Sequence, residues 1–400
     1  MISVVGGCYA ELCLVPTWNH IYGSAGRAAA AISSRCPVEL YTLLSVEFEA
    51  DFLLLMSAYD DVSHRSVEQS CSVSFEYLHP LASPYMLISG ERPLSGTLKP
   101  VRGENILCFG MVEYVPTVHG TDKVVYDPQG DKPLLFSATG STARELVYVL
   151  NEQELTKITR IDDLTEAGNF LLNRERNTSA VVLKRGPAGV TIFKPDGIKT
   201  VPCYRARRVF KIGSGDVFAA AFAYFWMEGL ETIENAADLA SRATACYVET
   251  QDAYIPTKDE LLRDYDQPIL SGPGSVYLAS PFFSLEQRWL VEETKLLLEH
   301  FGCQVFSPLH EVGTGQSSEV IATEDLIGLQ NCGTILALIN DNDTGTIFEV
   351  GYGKALNKRI VAYAERNNAR DLTMLEGTTC HVFPDYCSAI YNAVWESAVS

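Results

Sequence analysis

No apolar stretch in the chain reaches the ~18 residues that a membrane-crossing helix needs, so a transmembrane span is not expected. Positive charge is scarce. Lys and Arg number 31 against 50 Asp and Glu, a formal net charge of −19. So acidic a chain repels a phosphate polymer, which disfavours DNA or RNA as a partner. Small phosphorylated ligands stay admissible, because a few amides or a metal hold them locally. The eleven cysteines include no C-x-x-C pair, and no Cys/His cluster has zinc spacing, so no metal site is expected from them. The opening residues, Met1 to Val15, lack a basic stretch and break at Gly6-Gly7. They read as a first strand and not as a signal peptide. Free thiols in a reducing cytoplasm are the simplest account. There is no G-x-x-x-x-G-K-[ST] phosphate loop, no internal repeat and no low-complexity tract.

What is present fits a large folded protein. The 400 residues are 47% apolar and 20% charged, enough for sizeable cores and too long for one ordinary domain. Up to about Tyr265, apolar strand patterns (Ile2–Val5, Leu40–Leu43, Ile106–Phe109, Val124–Tyr126, Ala180–Leu183 and Thr191–Phe193) alternate with helical ones, notably Asp216–Glu228 and Ile233–Val248. Such alternation predicts an α/β layered fold around a mostly parallel sheet. The polar run Asp264–Gln267 and the turn-rich Ser271-Gly272-Pro273-Gly274 then predict a linker over 267–274, between domains at 1–266 and 275–400. Beyond it, strands at Val276–Ala279, Gln304–Phe306, Thr334–Ile339, Arg359–Ala362 and near His381–Phe383 are separated by helices at Leu285–His300, Ser318–Gln330 and Ile347–Leu356, with a last helix at Tyr386–Ser397. Five strands in this rhythm predict a compact doubly wound domain.

Two constellations carry chemistry. In the first, Gly213-Ser214-Gly215-Asp216 runs directly into the apolar helix Val217–Phe222. Free amides and the helix dipole converge there on an anion. Two readings of Asp216 are open: a base that takes the proton of a hydroxyl attacking a phosphoryl group, or a helix cap.

Residues 1 to about 265 resemble the PfkB/ribokinase family of sugar and nucleoside kinases. Gly213, Ser214, Gly215 and Asp216 are similar to that family's Gly-Ala-Gly-Asp anion hole, which implies a catalytic role for Asp216. Asn151 and Glu154 resemble its Asn-x-x-Glu, which organises a magnesium shell. Lys184 to Gly189, with Gly186 and Gly189, resembles its nucleotide-contacting turn. Gly6-Gly7 and Gly23-Ser24-Ala25 resemble the sugar-side glycines. The resemblance implies an α/β/α sandwich, with ATP and Mg2+ as cofactors. Departures cluster at the sugar end. Phe210 and Lys211 replace an Asp-Thr pair, Tyr22 a glycine, Arg27 an Asn and Glu11 an early Asp. They imply an altered acceptor, or a unit that has lost turnover and kept nucleotide binding.

The second constellation surrounds a strand end. Asp343 follows the apolar strand at Thr334–Ile339, Glu349 lies in the first turns of the next helix, and Tyr277 belongs to the opening strand. Asp325 shares a helix face with Ile321 and Leu329 and lacks an obvious basic partner. Two acids in different surroundings divide labour as nucleophile and proton donor, which cleavage at an anomeric carbon requires. A plain turn at Asp343 and a dipole-favoured Glu349 are the alternatives. Residues from about 275 to 400 resemble the nucleoside 2-deoxyribosyltransferases, on Val276–Phe282, Phe306–Glu311 and the Asp343, Gly345, Glu349 spacing. The resemblance implies a smaller flavodoxin/Rossmann-like domain that needs no cofactor. In it Glu349 is the nucleophile, Tyr277 orients it, Asp343 binds sugar hydroxyls and Asp325 contacts the base. It also implies a nucleoside or nucleotide substrate and a homo-oligomer. Gly333 stands where relatives carry an acid that shapes the base pocket. Trp289 and Leu296–Leu298 are expected in the core.

Taken together, the sequence predicts a cytoplasmic enzyme of nucleoside or nucleotide metabolism that cleaves or transfers an N-glycosidic bond, with a kinase-like domain before it. The alternative is an inactive kinase domain serving as a nucleotide sensor or interaction module, which regulates a nucleotide- or NAD-depleting glycosidase. No nucleic acid polymer and no membrane is expected as a partner.

Overall fold

The computed structural model describes residues 1–59, 61–89, 97–270 and 272–398, so Ser271 of the expected linker lies outside the described residues. The chain divides into two compact units: Met1–Ala206 with Phe210–Pro268, and Arg207–Val209 with Ile269–Ser400.

The first unit is built on a nine-stranded sheet. Its order is Gly197–Val201, Val190–Lys194, Thr178–Lys184, Thr142–Asn151, Val118–Asp127, Val101–Phe109, Ile2–Val5, Val38–Ser45, Val62–Gln69. The seven strands from Thr178–Lys184 to Val62–Gln69 are mutually parallel, and the other two form an antiparallel edge. Parallel strands covered on both faces need continuous apolar runs, and Val147 to Leu150 are accordingly all fully buried. One face packs on the helices Gly23–Ser33, Ser214–Met227 and Ile233–Thr250. Alanines 28–31 in the first of these are fully buried and let it approach the sheet closely. The helices Glu152–Thr159 and Leu164–Arg174 cover the other face. This is the expected α/β/α sandwich. A smaller four-stranded sheet, ordered Trp18–Ile21, Ala10–Cys13, Ser72–Tyr77, Tyr85–Ser89, was not foreshadowed by the sequence patterns.

The second unit has five parallel strands in the order Gln304–Phe306, Ser275–Ala279, Thr334–Leu338, Arg359–Tyr363, His381–Phe383. The strand order reverses beside Ser275–Ala279, and in such sheets that switch point opens a crevice at the carboxyl ends. On one face Tyr277, Ala279, Ile335 and Ala337 pack with Leu329 and Val350, from the helices Ser318–Asn331 and Thr344–Ala355. The nearly all-buried helix Tyr386–Ser397 lies against the same strands and belongs to the opposite layer. Trp289 departs from expectation: it is 48% exposed, and in the Leu296–Leu298 run only Leu298 is fully buried. The helix Leu285–His300 presents those side chains off its core stripe.

One packing detail is testable. The Phe306 ring fills the space that a Cβ on Gly328 would take, and it stacks on Tyr277 with ring centroids 5.5 Å apart. In an open helix Gly→Ala gains about 1 kcal/mol. Here the overlap costs about 1–3 kcal/mol. Gly328→Ala is therefore expected to lower the urea midpoint of the full chain, and an unchanged or higher midpoint would contradict the packing described.

Candidate functional site

In the second unit the four expected side chains come together. Tyr277 projects from its strand and donates a hydrogen bond from its hydroxyl to Glu349 Oε1 at 2.7 Å. Asp343 is the N-cap of the helix Thr344–Ala355, with its Oδ2 accepting from the Thr346 amide at 2.8 Å and from Thr346 Oγ1 at 3.0 Å. The helix thus starts three residues earlier than the apolar pattern implied, and Glu349 lies in its second turn. The Glu349 carboxyl is raised to about 7, because burial and the nearby charges of Asp325 and Asp343, which push it up, outweigh the Tyr277 hydrogen bond, which pulls it down. Asp325, midway along Ser318–Asn331, has a buried Oδ1 that accepts no hydrogen bond, and burial raises its carboxyl to about 6. Two carboxyls poised near neutrality beside a phenol are able to divide nucleophile and proton-donor duties.

Gly333 does not belong to this group. Its amide donates to Ser275 Oγ at 2.9 Å, and its neighbours Ser275 and Arg359 open their strands. It sits at the amino-terminal end of the sheet, opposite the carboxyl ends that carry Asp343. Phe306, the first residue of the Phe306–Glu311 motif, was given no role of its own, and it stacks on Tyr277. Its signal was an aromatic ending a short strand next to Tyr277's own.

In the first unit, Gly213 has φ 80°, a left-handed conformation that glycine adopts without strain, and it caps the helix Ser214–Met227. Asp216 makes no cap. Its Oδ2 accepts from Arg27 NH1 at 2.8 Å and its Oδ1 from Gln129 Nε2 at 2.9 Å. Arg27, fully buried, also grips both carboxylate oxygens of Glu11, one at 3.0 Å from NH1 and the other through NH2. Gln129 in turn accepts from Ser24 Oγ. The sugar-side residues Glu11, Ser24 and Arg27 are therefore linked to the acid of the anion hole. Phe210 is buried beside Cys13 and Ile212, a packing residue where the family signature has an acid.

Around the helix start, Asn151 and Glu154 form a reciprocal cap on Glu152–Thr159. The Gly186–Ala188 turn ends at Gly189, whose φ of 81° and closeness to the Val201 carbonyl leave no room for a Cβ. Lys184, the first residue of the motif that runs to Gly189, places its Nζ 2.7 Å from Oδ2 of Asp127, a residue that motif reading did not single out. Asp127, Asn151 and Lys184 each close an apolar strand at its carboxyl end, which was the available signal.

Comparison with known proteins follows this division. Residues 113–260 match the pfkB family carbohydrate kinase model, and residues 276–386 match that of nucleoside 2-deoxyribosyltransferase. Both resemblances read from the motifs are thus borne out. The first match takes in Asn151, Glu154, Lys184 and Gly213–Asp216 and leaves out Glu11 and Arg27. The ribokinase from Giardia lamblia is 16% identical over 65% of this chain and 97% of its own, with a TM-score of 0.50, a likeness of fold. The nucleoside kinase from Methanocaldococcus jannaschii, an archaeal member of the ribokinase family, is 14% identical over 66% of this chain and 97% of its own, with a TM-score of 0.48. No curated protein matches the chain.

Proposed function

We propose that the second unit breaks or transfers the N-glycosidic bond of a nucleoside or nucleotide, with Glu349 as nucleophile. The hydrogen bond from Tyr277 to Glu349, beside Asp325 and Asp343, carries this reading. The Glu349 carboxylate attacks the anomeric carbon, and the carbon–nitrogen bond breaks with its electron pair leaving on the base. Asp325 supplies a proton to that base, and Asp343 holds sugar hydroxyls. Water or a second base then displaces Glu349. The setting that fits is the cytoplasm, with the chain as a homo-oligomer and neither nucleic acid polymer nor membrane as partner. Incubation with nucleosides, nucleotides and NAD, followed by chromatography, is expected to show released or exchanged base; no release from any of them would refute the reading.

Tyr277→Phe tests the positioning. The phenol stabilises the ionised Glu349, so its loss raises the carboxyl above about 7. The acid limb of kcat/KM for base release is then expected to move up by roughly one pH unit. A limb that stays in place would separate Tyr277 from the nucleophile.

For the first unit the Arg27 bridge favours nucleotide binding without phosphoryl transfer. Both Asp216 oxygens are engaged, Oδ2 by the fully buried Arg27 guanidinium and Oδ1 by Gln129, so a substrate hydroxyl has to displace one of them. We read this unit as a nucleotide sensor, acting through Gly213–Gly215, Gly186 and Gly189, that regulates a nucleotide- or NAD-depleting second unit. ATP binding without ADP formation across sugars and nucleosides is the expected result. Stoichiometric ADP with any acceptor would restore the kinase reading, with Asp216 as base.

A further inference from the structure

The residues that would hold a magnesium ion in the first unit are engaged by other partners. Asn151 Oδ1 accepts from the Glu154 amide at 2.9 Å, and Glu154 Oε2 accepts from the Asn151 amide at 2.8 Å. Asp216 is held by Arg27 and Gln129. Asp127, fully buried, is held by Lys184. Among the described residues no three Asp, Glu, His or Cys side chains are grouped as a metal site requires. The donor set does not fit a divalent cation.

It fits a resident one. Lys184 places its ammonium 2.7 Å from Asp127 Oδ2, a fully buried carboxylate. Its Nζ lies 3.4 Å from the point where a Cβ on Gly215 would stand, so it faces the opening turn of the helix Ser214–Met227. In that turn the Ser214 amide donates to the Lys211 carbonyl at 3.0 Å and the Asp216 amide to the Gly213 carbonyl at 3.1 Å, which leaves the Gly215 amide at the helix start to meet an anion. A second buried donor lies there too: Arg27 Nε has no hydrogen-bond partner and is packed against Gly213. A divalent ion taking Asp127 would have to displace the ammonium that already neutralises this fully buried carboxylate.

We propose that Lys184 stands in for the metal, so that the first unit binds a nucleoside polyphosphate at Gly213–Gly215 without a divalent cation. The proposal rests on reading this unit as a nucleotide binder, and the experiment separates the two. ATP is titrated calorimetrically into the full chain, once with excess Mg2+ and once with EDTA. Wild-type affinities within about threefold of each other are expected. Lys184→Met is expected to weaken binding about tenfold or more in both buffers, and Lys184→Arg, which keeps the charge, to lose less. Binding tightened tenfold or more by Mg2+ overturns the proposal and leaves the nucleotide-binding reading standing. Wild-type affinity in a folded Lys184→Met chain does the same. No ATP binding in either buffer overturns both. Should Lys184→Met not fold, the wild-type comparison with and without Mg2+ decides.

Discussion

Glu349→Gln is expected to abolish base release, by about 10³-fold or more, and to make the protein more stable at pH 8. The first effect follows from removing the proposed nucleophile. The second follows from the raised carboxyl. In the unfolded chain Glu349 ionises near 4.5, and in the fold near 7. Between those values the native state holds a proton that the unfolded state has released, so stability falls as pH rises from about 4.5 to about 7, and above 7 the whole difference has been lost. At 1.36 kcal/mol per pKa unit, the ionised side chain costs the fold about 3 kcal/mol at pH 8. Glutamine has the same shape and no charge, so the variant escapes most of this cost. Its thermal midpoint should rise by several degrees at pH 8, and the gain should shrink to below about 1 kcal/mol at pH 5. An inactive variant with no pH-dependent gain would mean that Glu349 is not held in the desolvated position described. An active one would remove it from the chemistry altogether. Loss of function joined to gain of stability is what a group strained toward its task predicts.

How much of this was legible beforehand depended on the range of the interaction. The second unit was read closely because its strands are short apolar runs bounded by turns. Asp343 and Glu349, six residues apart, are placed by one helix start. Asp325 was found by the same local logic, since Ile321 and Leu329 mark its helix face. The first unit was read less completely. Thr142–Asn151 opens on Thr-Ala-Arg-Glu, which hides a strand whose Leu146 to Leu150 stretch is buried. The four-stranded sheet joins segments far apart in sequence, such as Ala10–Cys13 and Ser72–Tyr77. The helix Ala369–Gly377 escaped notice because it buries only Leu375. Arg27 was noted as an anomaly, but its partner Asp216 lies 189 residues away and no local pattern encodes that pairing. The same holds for Lys184 with Asp127, and for Gln129 between Ser24 and Asp216. Periodicity reports which face is buried. It does not report which charges meet once distant strand ends converge.

Arg27→Met should be among the most destabilising single substitutions in the first unit, by about 3–5 kcal/mol. The guanidinium is fully buried and joins Glu11 to Asp216, two carboxylates that are themselves buried. Methionine fills much of the same volume, so the cost comes from leaving two acids unpaired and not from a cavity. Neutralising those acids separates the two explanations. The triple variant Arg27→Met, Glu11→Gln, Asp216→Asn retains hydrogen-bonding groups without net charge, and it should recover most of the loss, because removing a whole buried ion cluster is far cheaper than breaking it. Urea unfolding of the full chain, followed by circular dichroism, reads both midpoints. If the single variant unfolds like wild type, the bridge contributes little and Asp216 is free to act as a base, which would bring the kinase reading forward. If the triple variant is as unstable as the single, then the arginine's contacts with Tyr22 and Tyr247, 5.2 and 6.0 Å from its guanidinium carbon to the ring centroids, matter more than its charge. The expected pattern, a large loss restored by neutralisation, ties the stability of the fold to the same ion pairs that engage Asp216.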